Sequence, residues 1–177
     1  MTDAKTRRRA QSILGAMLTE TKNAIAYLHS KRPRVFGRGF ANMMLNNDRL
    51  AEVQEKIEIA TREIQGGNVI DWDALEDVGL TGGTLEWKAD FFYSVVGRQK
   101  PDEQQAIDFK QPSDELSYPD GKPIWSRLFK YLKSLLTSLI NGIKSNSKVR
   151  LALDFIKEYL ECVEAPLKFV QSGEEFA

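Results

Sequence analysis

The chain has 177 residues, of which 42% are hydrophobic and 28% charged, and its formal net charge is zero. That length supports one hydrophobic core, and the composition excludes wholesale disorder. A neutral whole gives no general attraction to nucleic acid or an anionic membrane, and a lone cysteine, Cys162, excludes an internal disulfide and fits a reducing compartment.

Residues 4–29 carry the first helical period. Ala10, Ile13, Leu14, Met17, Leu18, Thr21, Ala24, Ile25 and Leu28 recur three and four positions apart. Arg8, Glu20, Lys22 and Asn23 fall off that stripe. The start has the basic-then-apolar order of a signal peptide, but the apolar run stops at Thr19-Glu20-Thr21-Lys22. It reads as the first helix of a cytoplasmic chain. No stretch approaches the roughly 18 uncharged apolar residues of a transmembrane span.

Pro33, Gly37 and Gly39 then mark a loop over 30–40. The second helix is expected from about Asn42 to Gln65. Leu50, Val53, Ile57, Ala60 and Ile64 form a narrow seam of the coiled-coil type, extended backward by Met43. It is too short for an independent coiled coil, so an antiparallel hairpin with the first helix is expected. Gly66-Gly67 supplies a left-handed end for it.

Two shorter helices follow over 70–97. Asp71 or Asp73 can cap the first by accepting orphan backbone N–H bonds. Gly79-Leu80-Thr81-Gly82-Gly83 reads as a turn, and Thr84 as the cap of the second helix, which carries Leu85, Lys88, Phe91, Phe92 and Val95. Residues 97–123 hold four prolines and few apolar side chains, so they read as a long loop.

The strongest pattern is C-terminal. Ile124, Trp125, Leu128, Phe129, Leu132, Leu135, Leu136, Leu139, Ile140 and Ile143 make a broad apolar face, with Arg127, Lys130 and Lys133 off it. After the turn at 144–147 comes a partner helix with Val149, Leu151, Ala152, Leu153, Phe155, Ile156, Leu160 and Val163, ending near Pro166. Residues 172–177 read as a frayed tail. The expected fold is therefore all-α: one helical domain over 1–177, a bundle of five to six helices built from an N-terminal and a C-terminal antiparallel hairpin.

Charge is distributed in blocks. Residues 1–40 sum to +7, 41–120 to −10, 121–153 to +7 and 154–177 to −4. Such blocks serve either a partner surface or internal pairing of acidic against basic helices, and the second is the simpler use.

Catalytic apparatus is scarce. His29 is the only histidine, which excludes a histidine-based metal cluster, and no Cys-x-x-Cys pair exists. Cysteine–histidine catalysis would require His29 to meet Cys162, and Cys162 reads as a core cysteine near Leu160 and Val163. Asp71, Asp73, Glu76 and Asp77 fail the calcium-loop register, because Glu76 stands where glycine is needed. Phe36-Gly37-Arg38-Gly39-Phe40 and Gly79 to Gly83 follow no strand and lack the lysine-serine/threonine ending of a phosphate loop. No cofactor and no metal is expected.

Two stretches remain as interaction candidates. Lys31, Arg32, Arg34, Phe36, Arg38 and Phe40 mix bases and aromatics, which suits phosphate attraction and base stacking; a solvated loop pinned by Val35, Phe36 and Phe40 is the plainer account. Arg7, Arg8 and Arg9 lie roughly 30 Å from it at about 1.5 Å per helical residue. Arg127, Lys130 and Lys133 mark the basic side of the 124–143 helix, which suits an anionic membrane or a partner groove, although mutual burial in a core hairpin is simpler. The Trp72–Val96 segment has the outline of a helix-turn-helix, but Glu86 and Asp90 would repel DNA phosphates. The expected function is a non-enzymatic adaptor or regulatory domain that binds another protein or itself. The alternatives are membrane-surface or nucleic-acid binding through the basic segments, and a carboxylate-dependent enzyme.

Overall fold

The computed structural model describes residues 3–30, 47–66, 69–96, 125–144 and 148–173. Among these, six helices appear: α1 (Ala4–Ser30), α2 (Asn47–Gly66), α3 (Trp72–Asp77), α4 (Gly82–Val96), α5 (Trp125–Asn141) and α6 (Lys148–Gly173). The all-α helical bundle expected from the periodicity is what the chain forms.

Helix α2 packs against α1 on one side and α6 on the other, and α6 packs on α5. Helix α4 touches both α1 and α5 and closes the ring, while α3 rests on α5. Both flanks of α2 are antiparallel. Gln11 Nε2 donates to Ile64 O at 3.1 Å, and further along α1 Lys22 pairs with Glu58 at 3.5 Å. On the other flank Lys148 meets Glu63 at 3.3 Å, and the Lys56 ammonium lies 5.7 Å from the Phe155 ring centroid.

The narrow seam explains this placement. Val53, Ile57, Ala60 and Ile64 are all fully buried, and Leu50 is partly buried. Burying one such branched side chain stabilises by about 1.5–3 kcal/mol. Each helix of the C-terminal hairpin buries its apolar stripe as expected: Phe129, Leu132, Leu136 and Leu139 on α5, and Val149, Leu153, Ile156 and Leu160 on α6. The 124–143 face is thus core over its described part.

Several local expectations change. Glu20 is only 6% exposed and Asn23 is also buried, although both fall off the stripe of α1. The reason is that α1 is covered from two sides, by α2 and α4, so a single stripe underestimates its burial. Cys162 is exposed rather than core, because its helical position lies well round from Leu160 and Val163. Leu151 is 72% exposed for the same angular reason. Helix α6 runs through Pro166 to Gly173 instead of ending at the proline; a proline withholds one ladder donor, and the helix bears that loss here.

Asp71 is the cap of α3, its side chain accepting from Ala74 N at 3.2 Å. Thr84 is not the cap of α4. The helix begins at Gly82, whose φ of +60° lets the chain turn into it earlier, and Thr84 sits exposed in the first turn. Helix α2 ends at Gly66, and its expected first turns at 42–46, the loop at 31–40, Gly67, the proline-containing segment 97–123 and the tail 174–177 lie outside the described residues.

A two-residue stitch joins the halves of the chain. Ile70 and Ile143 form an isolated antiparallel bridge, with Asp71 N donating to Gly142 O and Lys144 N to Val69 O, both at 2.9 Å. Gly142 is required there. A Cβ on it would stand 2.4 Å from Leu75 Cδ1 and 3.2 Å from Leu75 Cα, and Leu75 is wholly buried. We expect Gly142→Ala to lower stability by about 1–3 kcal/mol, read as a lower urea midpoint with unchanged slope; an unaltered midpoint would show that α3 is not seated this closely on the α5 terminus.

Candidate interaction surface

Three large hydrophobic side chains stand out on the described surface: Trp87 at 66% exposure, Phe91 at 43% and Leu151. Leu151 is isolated, and single exposed apolar residues are ordinary. Trp87 and Phe91 are not isolated.

Their exposure follows from the register of α4. Leu85, Ala89, Phe92 and Tyr93 are buried and fix the inward side. At about 100° per residue, Trp87 and Phe91 must then point outward, one turn apart. Their rings stack at 5.9 Å between centroids. Phe91 also meets Tyr131 of α5 at 5.1 Å, and Tyr131 lies 6.1 Å from buried Phe92. The aromatic group is therefore continuous from solvent to core.

Tyr131 is held by its polar end as well. Its phenol O–H donates to Lys88 O at 2.9 Å, which ties α5 to α4. Burial raises its pKa above the ordinary tyrosine value. Beside the aromatics runs a groove of about 150 Å³ lined by Trp87, Tyr131, Leu80 and Leu135, with Lys88, Ser134 and Ser138 as its polar members. The Lys88 ammonium donates to Val78 O at 3.4 Å.

Two larger grooves differ in kind. One, about 310 Å³ between α1 and α2, is crossed by the Lys22–Glu58 pair. The other, about 250 Å³ between α1 and α4, contains the Arg9–Glu86 pair. In each, the ion pair bridges the two helices that form the groove. With Lys148–Glu63, these pairs join the basic block at 1–40 and the basic block at 121–153 to the acidic block between them. Each basic block thus makes at least one ion pair with the acidic block. No group of three or more His, Cys, Asp or Glu side chains suited to a metal occurs among the described residues, and none of their helices is long and apolar enough to cross a membrane.

The sequence-derived interaction residues fare unevenly. Lys31, Arg32, Arg34, Phe36, Arg38 and Phe40 lie outside the described residues, as does the side chain of Arg127. Lys130 is exposed on α5, next to Tyr131 in the chain, and Lys133 is half-buried farther round the helix. Trp87 and Tyr131 were not singled out by sequence reasoning. The available signal was the Trp87–Phe91 spacing on the side of α4 opposite Leu85 and Phe92. A scan of protein-family models, a search of curated protein sequences and a search of solved structures each give no match to this chain.

Tyr131→Phe should cost about 0.5–1.5 kcal/mol by removing the bond to Lys88 O. The folded state holds the Tyr131 proton more tightly than the unfolded chain does. Its contribution is therefore complete below about pH 10, the ordinary tyrosine value, and is lost as pH rises through the raised value. Urea unfolding across alkaline pH should show a shallower decline for Tyr131→Phe than for the parent, and equal declines would contradict the assignment.

Proposed function

We propose that the protein is a cytoplasmic, non-enzymatic adaptor or regulatory domain that binds another protein through the Trp87–Phe91–Tyr131 surface. The observation that carries this reading is the exposure of Trp87 and Phe91 on an ordered scaffold. Burying aromatic area removes much apolar surface from water at little entropic cost when the rings are already fixed. Tryptophan and tyrosine also dominate the energetics of protein interfaces. The absence of acid from residues 121–153 favours a second use of the α5 side, attraction to an anionic membrane or nucleic acid. We rank it lower, because described cations such as Lys148 are engaged in internal pairs.

The test is a comparison of tagged wild type with the W87A/F91A double variant in co-purification from source cells, at low and high salt. Both should melt within about 4 °C of each other, since surface changes of this kind cost about 1 kcal/mol or less. The expected result is one stoichiometric protein that survives high salt on the wild type and is lost from the variant. The same proteins on both would remove the aromatic surface from the account. Lipid or nucleic acid released by salt would transfer the function to the basic segments.

A further inference from the structure

We infer that the groove beside Trp87 and Tyr131 receives an acidic peptide segment that inserts one large apolar side chain, an inference that rests on the protein-binding reading above.

Size sets the class of occupant. Small-molecule and cofactor pockets run from about 300 to 1,000 Å³. A groove of about 150 Å³ takes one leucine- or phenylalanine-sized side chain. Its walls are fixed in advance, by the 5.1 and 5.9 Å ring contacts and by the Tyr131 bond to Lys88 O. Such preorganisation lowers the ordering cost of binding. Ser134 and Ser138, one turn apart on α5, offer hydroxyls to the main chain of an incoming peptide.

Charge then sets the peptide's sign. The α4 ridge divides its own charges by register. Glu86 and Asp90 fall on the α1 side of Trp87, where Arg9 engages Glu86. Lys88 falls on the α5 side and lines the groove. On α5, the opposite wall, Lys130 beside Tyr131 in the chain is exposed, although it does not itself line the groove. No acid occurs among the described lining residues. A negatively charged segment is steered in and a positively charged one is repelled. An anionic bilayer shares that sign but presents no single side chain to fill a concave slot, so the geometry favours the peptide.

A random short-peptide library displayed on phage, panned against the full-length protein, tests this. Selected peptides are then titrated by fluorescence polarisation against wild type, Trp87→Ala and Lys130→Glu. The expected peptides carry leucine, phenylalanine or tryptophan flanked by Asp and Glu. Their affinity should fall roughly tenfold in Trp87→Ala, fall again in Lys130→Glu, and weaken with salt. Neutral or basic peptides that depend on Trp87 would overturn the charge assignment and leave the protein-binding reading standing. Peptides indifferent to Trp87→Ala, or none at all, would overturn both. Co-sedimentation of wild type but not Trp87→Ala with phosphatidylserine/phosphatidylcholine vesicles, with no peptide selected, would make the patch a membrane contact instead.

Discussion

The seam on α2 is the constraint from which the rest of the arrangement follows. Val53, Ile57, Ala60 and Ile64 are buried to completion because α2 has an antiparallel neighbour on each flank, α1 on one and α6 on the other. Small Ala60 in the middle of that seam permits close approach. With α2 central, α1 and α5 stand at the two ends of the row of contacts α1–α2–α6–α5. Helix α4 touches both.

That position decides what α4 can bury. Among the described residues it is flanked by α1 and α5, and it turns Leu85, Ala89, Phe92 and Tyr93 into the core, with Val95 packed at its edge. Any large side chain at 87 or 91 is left in water. Trp87 stacks on Phe91 and Phe91 leans on Tyr131, which organises the exposed area rather than hiding it. The surface charges have the opposite character. Arg9–Glu86, Lys22–Glu58 and Lys148–Glu63 each bridge two helices, and each is partly exposed, so any one contributes about 1 kcal/mol or less. Together they favour this order of helices over one that would set like blocks side by side.

Periodicity made most of the architecture legible. The stripes of α1, α5 and α6, the seam of α2 and the Asp71 cap all follow from spacing and side-chain chemistry within one segment. What a single segment cannot express is how many neighbours it will have. Glu20 and Asn23 are buried because two helices cover α1, and Cys162 is exposed because the stripe of α6 turns past it. The start of α4 depended on the positive φ that Gly82 can adopt, which outweighed the capping chemistry of Thr84. The candidate surface was legible only in part. Lys130 adjoins its α5 side in sequence, but Trp87 and Tyr131 come together only when α4 and α5 pack, across more than forty residues of sequence.

The central claim is that an aromatic surface is built into the fold and stands open on the isolated protein. Hydroxyl-radical footprinting of the full chain, read by mass spectrometry, tests it most directly because it compares neighbouring aromatic residues in one experiment. The account predicts rapid oxidation at Trp87 and Phe91 beside strong protection at Phe92 and Phe129. Protection of Trp87 equal to that of Phe92 would contradict it, since the surface would then already be covered.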